Sequence, residues 1–167
     1  ILGGFDEEQI RNQDDEFNYR LRERGGKVLL TPRIRSLYFN RGTLRSLWKQ
    51  YYQYGFWKVR VMQKHPKQMQ ARQFVPALFV LGWAALMAGA IFARPARYLL
   101  AGTAILYFGA SAVAAVSVAR RKAARLTPLV MLSFGVLHFA YGAGFLAGLA
   151  RFGGRFRKPA AALPMTG

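Results

Sequence analysis

Cysteine is absent from this chain of 167 residues, which excludes disulfide bridges, thiolate metal sites and cysteine nucleophiles. Acid is missing from most of it too. All seven Asp and Glu residues lie between Asp6 and Glu23, and none follows Arg24. Residues 1–25 are polar and acidic and lack the apolar run of a signal peptide. The chain opens on Ile rather than Met, within what reads as a folded motif, so it reads as a fragment.

What is abundant is basic charge and apolar surface. A formal charge of +18 accompanies 53% hydrophobic residues, and the two are segregated along the chain. Such a charge suits nucleic-acid binding. Long uncharged apolar runs bracketed by Arg and Lys point instead to a membrane protein whose cations meet anionic lipid. Three runs, residues 74–92, 98–118 and 126–150, carry no charge and reach the roughly 17–25 residues needed to span a bilayer. Membrane lipid is therefore the expected partner, and nucleic acid is not.

Before these runs the pattern changes twice. Residues 1–42 read as the remnant of a soluble α/β region. "ILGGFDEEQ" is a glycine-containing loop, and a helix is predicted from about Asp14, with Asn12 as N-cap and acids in its first turn. Phe17 and Leu21, one turn apart, give it a narrow buried stripe, and Gly25 and Gly26 end it. "KVLLT" and "RIRSLYF" read as short strands interrupted at Pro32.

Residues 43–73 read as an amphipathic helix and linker. Thr43 caps the helix and Pro66 ends it. Leu44, Leu47, Trp48, Tyr51, Gly55, Val59 and Met62 form one face, and Arg45, Lys49, Gln53, Arg60 and Lys64 the other. A basic face opposite an aromatic one suits a helix lying among lipid headgroups; packing on the soluble region is the other reading. Residues 74–150 hold the three spans and residues 151–167 a basic tail. In the third span Ala140, Gly144 and Gly148 place small residues at every fourth position, a spacing that lets helices approach closely.

Orientation follows from the loops. With residues 1–73 cytoplasmic, "ARRKAAR" lies inside and "ARPAR" outside, as the positive-inside rule requires. The tail residues Arg151, Arg155, Arg157 and Lys158 run against that rule, unless one run is re-entrant or interfacial.

The acid cluster admits two readings. Carboxylates in a first helical turn offset the helix dipole, by about 0.3–1 kcal/mol each. They can also accept protons in catalysis. A resemblance bears on the choice. "GGFDE", then "NQDDEFNYRLRERGGKVLLTP", then "LWKQYYQYGFWKVRVMQKHP" resemble the C-terminal half of a family 2 glycosyltransferase. They are especially similar to the membrane-bound enzymes of succinoglycan and other exopolysaccharide synthesis, over residues 3–73, and the apolar runs fit as well.

The resemblance implies a GT-A fold ending near residue 42, a mostly α chain overall, and inverting transfer from a nucleotide-sugar to a lipid-linked or polysaccharide acceptor. The setting it implies is the inner membrane, with the active site facing the cytoplasm. The family's Glu-Asp motif, whose Asp is the general base, corresponds to Gln13-Asp14, so Asp14 is the implied base and Asp15 the alternate. Gly3, Gly4 and Phe5 would shape the sugar pocket. The family's Gln-x-x-Arg-Trp corresponds to Gln53 through Trp57 with Phe56 in place of Arg. Lys58 and Arg60 would supply positive charge for a diphosphate, while Trp57 either contacts acceptor or anchors the helix at the interface.

The family's Asp-x-Asp, which holds a Mg or Mn ion on the nucleotide diphosphate, occurs nowhere in the sequence. A fragment without it is expected to be inactive alone. His65, in a basic turn, reads as a surface residue. His138, inside the third span, reads as a functional candidate or as a neutral ring bonded to a neighbouring helix; no other His or carboxylate stands near it in sequence to form a metal site. The rival to the enzyme is a non-catalytic basic membrane anchor or assembly protein.

Overall fold

A computed structural model describes residues 2–38, 42–120 and 123–154. Among these described residues five α-helices form: α1 (Gln13–Glu23), α2 (Leu44–Lys64), α3 (Val75–Phe92), α4 (Arg94–Ala119) and α5 (Thr127–Phe152). Three of them, α3, α4 and α5, are long and apolar enough to cross a membrane, at the positions where the uncharged runs predict them. Each opens with Pro in its first turn, where the missing amide leaves no bond unmade. Leu81, Met87, Ile91, Ile105, Leu106 and Val113 are exposed on α3 and α4, a surface suited to lipid. At the α3–α4 turn, Arg97 folds back to donate to the carbonyls of Ala90 (2.7 Å) and Ile91 (3.3 Å), closing the open end of α3.

The most extensive helix pairing joins α2 to α5. A Cβ on Gly55 of α2 would collide with the Tyr141 carbonyl, and one on Gly144 or Gly148 of α5 with the carbonyls of Tyr52 or Phe56. Gly142 meets the start of α3 in the same way, at the Pro76 carbonyl. The small-residue spacing thus marks a contact face, but its main partner is the amphipathic helix. Val59 and Met62 of α2, Ala77 of α3, and Phe145 and Phe152 of α5 form the core at this crossing. Ser111, Ala115 and Ala119, every fourth residue, form the buried edge of α4, which packs on α3 and α5.

The N-terminal region departs from its predicted α+β character. Among the described residues no strand forms. Residues 27–38 run without regular structure, and Leu29, Leu30, Ile34 and Leu37 stand exposed; Phe39, at the end of the second predicted strand, lies outside the described residues. Apolar and β-branched residues favour a strand only where a neighbour completes the hydrogen-bond ladder, and among the described residues no such pairing forms.

In α1 the buried position is Glu16, while Phe17 and Leu21 are only half-buried. Asn12 adopts a left-handed conformation (φ 61°) and makes no side-chain cap; its amide donates instead to the Tyr54 carbonyl (3.0 Å), tying the start of α1 to α2. The other termini follow the sequence reading. Gly25, at φ 77°, takes the left-handed turn that ends α1, and the Thr43 hydroxyl accepts from the Ser46 amide (3.2 Å) at the start of α2.

Candidate active site

The site is built where the acidic segment meets the basic edge of α2. Lys64 binds Asp6 and Glu8, Arg60 binds Glu8 at 2.8 Å, and Lys58 binds Asp15 at 2.8 Å. His65 lies between Glu16 (Nε2, 3.1 Å) and Glu23 (Nδ1, 3.1 Å). It is 7% exposed, which corrects the expectation of a surface residue: the turn at Pro66 aims the ring back at α1. Each ring nitrogen thus faces a carboxylate oxygen of α1.

Burial pushes Asp6 up. Hydrogen bonds from Lys64 and Gln9, with the Lys64 charge, outweigh it and hold the carboxyl below its usual 3.8. Hydrogen bonds from Lys64 and then Arg60 hold Glu8 below 4.5. A carboxyl depressed on folding stabilises the protein above its unfolded pKa and stops doing so as pH falls through the folded value. The unfolded values are about 3.9 and 4.3. The detergent-solubilised chain should therefore lose thermal stability as pH drops from about 5 to 3, and the Asp6→Asn/Glu8→Gln double variant should show a shallower decline in a melting series.

Five of the seven acids are consumed by these contacts. Asp14 and Glu7 have no ion-pair partner among the described residues. Asp14 is exposed and lines a cavity of about 350 Å³ with Asn12, Asp15, Tyr54, Lys58, Gln73 and Tyr141. The two adjacent Asp residues thus differ. Asp15 is paired with Lys58, which is 6% exposed and also reaches the Tyr19 hydroxyl at 3.4 Å, whereas Asp14 lines the cavity with no ion-pair partner among the described residues.

The Lys58–Asp15 pair is asymmetric in burial, with side chains 8% and 46% exposed. Removing the exposed partner strands a buried charge, whereas removing the buried partner leaves a carboxylate that water can solvate. Asp15→Asn should cost about 1–3 kcal/mol, and Lys58→Met about 1 kcal/mol or less. Paired denaturation curves in one detergent compare them.

Of the residues singled out from sequence, Asp14, Asp15 and Lys58 come together at this cavity. Gln53 accepts from Arg11 Nε (3.1 Å) and lines a separate hollow with Arg11, Ser46, Lys49 and Gln50. Trp57 packs on Phe152 (5.9 Å between ring centroids), and Arg60 lies over the same ring. The Gly3–Gly4–Phe5 loop is tied to α1 by Arg20, which donates to the carbonyls of Leu2 and Gly4, and by Phe5 against Phe17. Sequence reasoning missed Tyr54, Gln73 and Tyr141 and took Asn12 for a cap only. Tyr54 lay within the Gln53–Trp57 window; Gln73 and Tyr141 carried no signal.

The divalent cation implied for the intact enzyme finds no ligand set here. Among the described residues no group of three His, Cys, Asp or Glu side chains is placed to hold a metal ion, and of the two carboxylates at the cavity one is held by Lys58. His138 accepts or donates at 2.9 Å with the Tyr107 hydroxyl of α4, a contact between two membrane-type helices.

No known family profile matches the sequence, and no solved structure does. The chain is similar to the succinoglycan biosynthesis protein ExoA of Rhizobium meliloti (strain 1021), with 29% identity over 152 residues. The match takes in 90% of this chain and 44% of the relative, so the chain spans less than half of that protein's length. The resemblance drawn from sequence motifs and this similarity agree.

Proposed function

We propose that this chain is the C-terminal portion of a membrane-bound, inverting family 2 glycosyltransferase of exopolysaccharide biosynthesis. It moves a sugar from a nucleotide-sugar to a lipid-linked or polysaccharide acceptor. Residues 1–42 complete a GT-A catalytic domain, residues 43–73 join it to the bilayer, and residues 74–150 anchor it in the inner membrane with the site facing the cytoplasm. The single observation carrying this reading is the unpaired Asp14 carboxylate at a cavity walled by α1, α2 and α5. Similarity to a succinoglycan biosynthesis protein supports it.

An acceptor hydroxyl is a poor nucleophile and must lose its proton as it attacks C1 of the donor sugar. Asp14 takes that proton, the new C1–O bond forms on the face opposite the departing nucleoside diphosphate, and the configuration inverts. The placement of Asp14 against the acceptor hydroxyl sets the rate. Lys58 fixes Asp15 and leaves its neighbour free for this role. The Gly3–Phe5 loop borders the sugar, Gln53 and Trp57 lie on the acceptor side of α2, and Lys58 and Arg60 supply positive charge near the diphosphate.

Membranes from cells expressing the intact protein, supplied with a panel of radiolabelled nucleotide-sugars, test the proposal. Label should pass from one donor into a lipid-extractable or polymeric product, and residues 1–167 alone should transfer none. Absence of donor-dependent transfer across the panel would sink the reading.

A further inference from the structure

Two buried titratable side chains stand outside the chemistry at Asp14. Glu16, on α1, is 4% exposed, and His65, just past the end of α2, is 7% exposed. Glu16 divides its two oxygens: Oε1 lies 3.1 Å from His65 Nε2, and Oε2 accepts from Arg20 Nη2 at 2.9 Å. The same Arg20 nitrogen donates to the Gly4 carbonyl (2.8 Å), and Nη1 donates to that of Leu2 (2.6 Å). A chain of contacts therefore runs from the turn after α2, through α1, to the Gly3–Phe5 loop. Gly3 takes a left-handed conformation there (φ 74°). Phe5 leans on Phe17, whose ring Arg20 also covers.

Stability does not account for this arrangement. Replacing buried ionic groups by apolar ones of similar size is often neutral or stabilising, whereas a satisfied polar network holds one geometry. What is held here is a loop with no regular secondary structure of its own. We propose that Glu16, Arg20 and His65 are positioning residues for the donor sugar: they keep the Gly3–Phe5 loop in the shape that selects it. Arg20 grips the loop, Glu16 orients Arg20, and His65 orients Glu16 from the end of α2. None of the three moves a proton in the transfer. This rests on the glycosyltransferase reading and names the side chains that set its sugar selectivity.

Two measurements on the intact protein test it. The first is hydrogen–deuterium exchange of the loop. His65→Asn should speed exchange at residues 2–6 although His65 does not touch them. The second is transfer from UDP-glucose, UDP-galactose and GDP-mannose. Arg20→Gln should raise the donor KM about tenfold, as expected for one lost charge-assisted hydrogen bond, and leave kcat near wild type. Arg20→Lys should recover part of that loss, and the preference for the best donor over the second should narrow in Arg20→Gln and His65→Asn. Gly3→Ala strains the loop directly, because alanine disfavours a positive φ. Combined with Arg20→Gln it should add less than its separate effect, as for two changes acting through one element. Single substitutions strand a buried partner, so Glu16→Met/Arg20→Met/His65→Phe serves as the control for folding. It should melt near wild type and keep the KM and selectivity defects.

Unchanged loop exchange in His65→Asn would overturn the proposal, and so would a fall in kcat at constant donor KM, the mark of a smaller folded fraction. Full additivity of Gly3→Ala and Arg20→Gln, or wild-type donor preference in the triple variant, would overturn it too. Exchange needs no turnover, so the two readings fail separately. Sugar transfer with an indifferent loop defeats this proposal alone, and a wild-type protein that transfers from no donor defeats the catalytic reading first.

Discussion

Replacing Asp14 by Asn in the intact enzyme should lower sugar transfer by about 10²–10⁴-fold, the usual contribution of a positioned general base. The amide keeps the size of the carboxylate but cannot take the hydroxyl proton. Because Asp14 has no partner among the described residues and lines an open cavity, its loss should leave the melting temperature and nucleotide-sugar affinity unchanged. The effect therefore falls on kcat rather than on the donor KM. Asp15→Asn supplies the contrast, since it acts through stranded Lys58 and lowers stability first. Wild-type-like turnover in Asp14→Asn, measured with a radiolabelled donor, would defeat the assignment.

The second large effect is structural. Gly144→Ala and Gly55→Ala each drive a methyl group into a backbone carbonyl of the facing helix, and no side-chain rotation can relieve a backbone clash. Overpacking of this kind costs typically about 1–3 kcal/mol and sometimes more, and these positions belong at or beyond the upper end. Thermal unfolding in detergent should show both variants strongly destabilised or unable to fold. Gly135→Ala, on the same helix but facing open space, should be neutral or slightly stabilising, because Ala favours helix over Gly by about 1 kcal/mol. Equal melting temperatures across the three would show that α2 and α5 do not cross as described.

Legibility in the sequence followed the range of the interactions. The three apolar helices were readable because each meets its length and hydropathy requirement alone. Thr43 and Gly25 were readable because capping and chain reversal are decided within a few residues. The strands expected at 27–31 and from 33 onward do not form among the described residues, because a strand needs a neighbour and apolar composition cannot report whether one exists. His65 was misplaced because its carboxylate partners, Glu16 and Glu23, lie 49 and 42 residues away.

The candidate site divides in the same way. Asp14 and Lys58 could be named, from a motif and from a charge. That Asp15 rather than Asp14 pairs with Lys58 is a contact across 43 positions that no local pattern encodes. Gln73 and Tyr141 came from a linker and an apolar run, where sequence gives no reason to look for a catalytic wall.

Tyr141 carries a practical consequence. The cavity that holds Asp14 takes one side from α5, a helix long and apolar enough to cross a membrane. Cutting this protein back to a water-soluble catalytic fragment would remove that lining along with the anchor. Under the proposed function, chemistry and anchoring are therefore not separable modules, and a preparation that keeps the first must keep the second.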